Sequence, residues 1–154
     1  MSLTRVQAQA IVDKLKAHIA AITDPVFELI VVGQPTQLPI ADRAAYLWYE
    51  GSSIKFQTLA DNNVAEHFKL VFLWRPQTVS ELTERIEVEA WISSRAIQER
   101  LHNDIKLTGS AQKVELSDDD IEVGWIRISE IAVRAVIVPI KLWIYETDQI
   151  IVTP

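Results

Sequence analysis

The sequence has no cysteine. That excludes disulfides, a thiol nucleophile and any zinc site built on thiolates, and it suits a reducing compartment. Glycine is nearly as scarce, with four residues in 154. The loops that cradle phosphates or carry a nucleophile elbow need two or three glycines at fixed spacing. None of those patterns is present, so enzymatic activity is not expected and no cofactor is implied. Lys and Arg form no cluster and the formal charge is −6, which lacks the basic footprint of a nucleic-acid reader. The opening Met1-Ser2-Leu3-Thr4-Arg5-Val6-Gln7 has no apolar signal-peptide core. The longest apolar run, Ala135 to Ile140, falls far short of the roughly 18 residues of a membrane span. A membrane partner is therefore not expected. No internal repeat or low-complexity tract occurs.

What is present is apolar surface. It makes up 49% of the residues, enough at this length for one domain, residues 1–154, with its own core. Thr4 and Gln7 fit a capping box. Behind them Ile11, Leu15, Ile19 and Ile22 recur at helical spacing, predicting a helix from Thr4 to Thr23, stopped by Asp24-Pro25. Val26 to Val32 reads as a strand ending at Gly33. Ala45 to Glu50 and Ile54 to Leu59 flank Gly51-Ser52-Ser53, which predicts a hairpin. Asp61 to Asn63 reads as another turn. His67 to Trp74 alternates, with Phe68, Leu70, Phe72 and Trp74 on one side. Thr78 to Glu81 offers a second capping box, and a long helix is predicted from Ser80 to Asn103. Lys113 to Leu116, Ile121 to Ser129 and Ile131 to Tyr145 are strand-like. Pro139 in the last run implies an edge position or a bulge. The expected fold class is α+β, a twisted, mostly antiparallel sheet with an N-terminal helix and a long second helix on one face.

Titratable residues form no reactive constellation in the sequence. His102 and Asp104 stand two apart at a helix end, where side chains do not face each other. A helix-end role suits them, with Gly109 easing the turn. His18, His67 and His102 lack metal-ligand spacing. Asp118, Asp119 and Asp120 lack the alternation of a calcium loop and read as a solvated acidic loop. The long helix is the anomaly. Leu82, Ile86, Ala90, Ile97 and Leu101 form one stripe, yet at about 100° per residue Val88, Trp91 and Ile92 fall on the far side. Either the N-terminal helix covers them or they meet another subunit, where aromatic residues are enriched. The remaining tryptophans are expected mostly in the core.

The layout resembles the tail-terminator and head–tail joining proteins of long-tailed bacteriophages. The likeness rests on the helix–sheet–helix–sheet order from Leu3 to Glu146 and on Leu101, Asp104, Leu107 and Gly109 at the close of the long helix. Trp125 and its neighbours between Ser117 and Glu130 have no counterpart in it. The resemblance implies a structural virion protein of the tail or neck, made in the bacterial host cytoplasm. It would form a ring, commonly of six subunits, that caps the tail tube and meets the head connector. Its partners would be itself, the tail tube protein and the head–tail connector protein, with DNA only passing through. Val88, Trp91, Ile92 and Pro139 would serve subunit contacts, and Asp118, Asp119 and Asp120 would form a lumen- or tube-facing acidic loop that phosphate avoids. The alternatives are a head-side connector or completion adaptor, or a non-viral α+β domain that binds proteins or a small ligand.

Overall fold

A computed structural model describes residues 4–56, 61–75, 80–105, 107, 113–116 and 121–147. The element order is α1 (Arg5–Ala20), β1 (Leu29–Val32), β2 (Arg43–Phe56), β3 (Asp61–Trp74), α2 (Ser80–Asn103), β4 (Lys113–Leu116), β5 (Glu122–Ile128) and β6 (Ile131–Thr147). The first capping box forms. The Thr4 hydroxyl accepts from the Gln7 backbone N–H at 3.2 Å, and the Gln7 side-chain oxygen accepts from the Thr4 N–H at 2.9 Å. Two orphan donors at the helix start are thereby satisfied. The second box, Thr78 to Glu81, and Gly109 fall on residues outside the described set.

Among the described residues six strands form one sheet, in the order β1-β2-β3-β6-β4, with β5 also paired to β6. Only the β1–β2 pair is parallel. Both helices cover one face, giving the expected α+β architecture. Leu15 and Ile19 of α1 and Ile86, Ile97 and Leu101 of α2 share a buried cluster with Leu47, Phe72, Trp74 and Val138 of the sheet. Phe27, just ahead of β1, stacks on Phe72 at 4.4 Å between ring centroids and meets Trp74 edge-on at 5.8 Å. The opposite face is apolar too. Ala44, Tyr46, Val71, Leu73 and Val133 form a second cluster, with Leu38 from the connection after β1 packed against it. The middle strands therefore bury both of their faces.

Three local expectations are corrected. First, Gly51 is not a hairpin turn. It lies inside β2, where the register with β3 steps between Tyr49 and Gly51. Gly51 has φ +134°, a conformation that side chains rarely adopt, so the glycine marks a bulge rather than a reversal. Second, Asp61 to Asn63 begins β3 instead of forming a turn. Polar residues at a strand end satisfy the backbone as well as turn residues do, so composition alone misled. Third, Pro139 is not at a sheet edge. It is buried, opposite Lys69 of β3. On the other side of β6, pairing with β5 ends at Ile137 and pairing with β4 resumes at Ile140. The residue without a backbone donor sits in the gap between two partners, where the missing hydrogen bond costs least. With β6 paired along both sides, the reading of Pro139 as a subunit contact loses its basis.

Strands β5 and β6 join through Ser129 and Glu130, whose φ values are +50° and +66°. Two consecutive left-handed residues make a type I′ turn, which favours Asn-Gly. The double substitution Ser129→Asn, Glu130→Gly is expected to raise the unfolding free energy by about 1 kcal/mol. Urea denaturation of the two proteins checks this, and a lowered midpoint for the variant would contradict the turn assignment.

Candidate subunit interface

The orientation of α2 is set by one acidic side chain. Glu89 is buried, and its carboxylate accepts from Arg43 Nε at 2.9 Å and Arg43 Nη2 at 2.7 Å. It also accepts from Trp74 Nε1 at 3.0 Å. Arg43 in turn reaches Glu28 at 3.2 Å, and Arg85 stands 3.7 Å from Glu89 one helical turn back. Burial pushes the Glu89 carboxyl up. The hydrogen bonds from Arg43 and Trp74 and the charge of Arg43 outweigh that, so its pKa lies below the ordinary 4.5. The Arg43 guanidinium is held above its ordinary range, first by its hydrogen bond to Glu89. The clasp ties the middle of α2 to the start of β2 and the end of β3.

Fixing Glu89 inward fixes what points outward. At about 100° per residue, Trp91 lies nearly opposite Glu89, and Val88 falls between Trp91 and Ile92 on the same arc of the helix. All three are exposed, Trp91 at 71%. Of the two sequence readings, cover by the N-terminal helix is therefore overturned. Helix α1 instead meets the far end of α2, where His18 Nε2 and Asp104 Oδ2 stand 2.7 Å apart.

The face continues onto β5, which the sequence reading did not foresee. Trp125, expected in the core, is 61% exposed, and Val123 beside it is also exposed. An open groove of about 380 Å³ runs between α2 and β5, with Val88, Ala90, Trp91, Ser94 and Val123 along it. A smaller recess of about 150 Å³ adjoins it beneath Trp125. Arg134 of β6 braces the junction. Its Nη2 donates to Glu87 of α2 at 2.7 Å, and its guanidinium lies 5.4 Å from the centre of the Trp125 ring. Trp91 lines the groove and Trp125 lines the recess, and Glu87 borders both. The signal for Trp125 was the alternation of Val123, Trp125 and Arg127 along one side of β5, a strand too short of partners to bury both faces.

The other tryptophans vary. Trp74 is fully buried. Trp48 and Trp143 are half-buried, with Lys69 Nζ 6.0 Å and Lys141 Nζ 4.8 Å from their ring centres. His102 is exposed at the end of α2, and Asp104 partners His18 rather than His102. His67 Nε2 lies 3.2 Å from Ser53 Oγ. Among the described residues no group of three His, Asp or Glu is placed to hold a metal ion, and no helix is long and apolar enough to cross a membrane. Asp118, Asp119 and Asp120 lie outside the described residues. Leu101 and Leu107 are buried in the main cluster. Leu107 takes φ +46°, a left-handed turn stabilised where its N–H donates to the Asp104 carbonyl at 3.0 Å.

No protein-family model and no curated protein matches this chain.

Replacing Glu89 by Gln is expected to cost about 3 kcal/mol at pH 7, because the Arg43 charge is left without its buried partner. The folded-state pKa of Glu89 is depressed, so its contribution is complete above 4.5 and fades as pH falls from there through the folded value. Urea titrations of wild type and Glu89→Gln from pH 7 downward should show the stability gap closing on acidification. A gap that stays constant with pH would refute this account of the clasp.

Proposed function

We propose that this protein is a structural subunit that assembles with copies of itself into a closed ring through the α2–β5 face. The observation that carries the reading is the exposed apolar set of Val88, Trp91 and Ile92 on α2 with Val123 and Trp125 on β5, of which Val88, Trp91 and Val123 line one groove. Large contiguous apolar surface flanked by charged groups such as Glu87 and Arg134 is what association surfaces present.

The opposite edge supports a head-to-tail arrangement. Strand β1 is the far border of the sheet. Val26, Val32 and Ile40 are exposed around it. A contact between the β5 side of one copy and the β1 side of the next uses two different surfaces. Such heterologous contacts close into a ring when the rotation divides a full turn.

The phage tail-terminator resemblance gives this assembly a role. In that role the ring ends growth of the tail tube and presents a surface to the head connector, with six copies surrounding a channel for DNA. Tube protein and connector are then the further partners. A head-side completion adaptor would use the same ring and is separated from a terminator by co-purification with capsids rather than with tail tubes.

Trp91→Asp places a charge at the centre of the face without touching the core. The expected result is a folded monomer, where the wild type gives a larger species by light scattering coupled to size exclusion, and rings by negative-stain imaging. A wild type that stays monomeric into the millimolar range overturns self-assembly. A wild-type oligomer that Trp91→Asp leaves intact overturns this face as the contact.

A further inference from the structure

A second feature of the molecule lies beside the β1 border and shares Val32 with it. Between the first half of α1 and the sheet lies a cavity of about 310 Å³. That size is at the small end of the range for ligand sites. Its walls are apolar, with Ile11 and Val12 of α1 facing Phe68, Leu142 and Ile144 of the sheet. One acidic group interrupts them. Glu66 of β3 lines the cavity and is only 9% exposed. Its Oε2 is buried and, among the described residues, accepts no hydrogen bond. Among the described residues no lysine or arginine lines the cavity with it.

That combination is unusual. An acceptor removed from water without a donor costs about 1–3 kcal/mol, and more when it carries charge. The rest of the molecule follows the opposite practice. Glu89 is comparably buried and receives three hydrogen bonds. At Glu66 the neighbour is Tyr49, also on the cavity wall. The Tyr49 phenol is held above its ordinary range, first by partial burial and then in part by the Glu66 carboxyl beside it, against the opposing Ser52 hydrogen bond. Tyr49 thus stands beside the carboxyl group, and Oε2 has no donor among the described residues.

We infer that this cavity binds a small amphiphile with an aliphatic body and a single primary ammonium head, the head donating to Glu66 and the body packed against Ile11, Val12 and Phe68. The apolar lining excludes sugars and polyols, whose hydroxyls would lose their water without replacement. A single acceptor, with no cation near it in the walls, selects one donating head and disfavours carboxylates and phosphates. An ammonium supplies three donors and the charge that complements the acid.

The test uses the full chain with hexylammonium chloride and 1-hexanol as probes, followed by calorimetry and by chemical shifts of the Phe68 and Ile144 side chains. Hexylammonium is expected to bind at least about tenfold more tightly than hexanol, the difference a charged hydrogen bond makes. Glu66→Gln should erase that preference while leaving hexanol binding in place. Val12→Phe, which fills the cavity, should abolish binding of both probes with the fold retained by circular dichroism. Failure of hexylammonium to bind wild type at about ten millimolar, a concentration that detects even affinities near the weak end of the usual scale, overturns the inference. So does equal binding of the two probes, or a preference for the amine that survives Glu66→Gln.

Discussion

The Glu89 clasp is the constraint on which the remaining arrangement hangs. A carboxylate on the sheet-facing side of a helix has to be compensated, since an uncompensated buried charge would cost several kcal/mol. Here Arg43 and the Trp74 indole supply three hydrogen bonds. These partners come from two neighbouring strands, so the bond geometry determines both the height of α2 over the sheet and its rotation about its own axis. Hydrophobic contacts are non-directional and would tolerate a helix turned by a few tens of degrees. The clasp does not. The outward display of Trp91 is thus a by-product of a polar interaction made on the reverse side of the same helix.

The sheet itself is apolar on both faces, and the two faces are closed by different means. Two helices shield one, while strand side chains and Leu38 crowd the other. Helical cover is incomplete at both ends. Beyond α2 the β5–β6 hairpin carries Val123 and Trp125 outward, and beneath α1 the cavity beside Glu66 remains. One end offers an open surface suited to a macromolecule. The other offers a partly open apolar hollow suited to something small. The Arg134 brace belongs to the first end, because it connects α2 to β5 through β6.

Much of the fold could be read in the sequence because long, strongly periodic segments dominate it. The helix at Ser80–Asn103 and the strand at Lys113–Leu116 have the predicted limits. The misreadings have physical causes. Gly51 carries the same signal whether it turns a chain or bulges a strand. Pro139 signals a missing donor, and a gap between two partner strands answers that as well as an edge does. Trp91 was legible as an outlier because helical geometry is rigid enough to compute. Trp125 was not, because whether a strand residue faces solvent depends on which partners lie above it. The Glu89–Arg43–Trp74 clasp joins residues far apart in the chain, and only a charge on the buried stripe of α2 hinted at it. The cavity at Glu66 left no trace at all, since an empty volume is a property of packing rather than of any residue.

The bulge in β2 has a further meaning. Up to Tyr49 the odd-numbered positions of the strand look toward the helices, as Ala45 and Leu47 do. Past the extra residue, Ser52 stands across from Glu66 and shares the side of Tyr49. The insertion acts as a phase shifter, with odd parity on one half of the strand and even parity on the other. A lineage that lost this single residue would shorten the strand by one position and keep Ser52 on the side of Tyr49, whereas one that kept the residue but straightened the bulge would turn the distal half inside out. Alignments that slide a gap freely through this region would therefore conceal whether a relative has kept the same inward-facing wall.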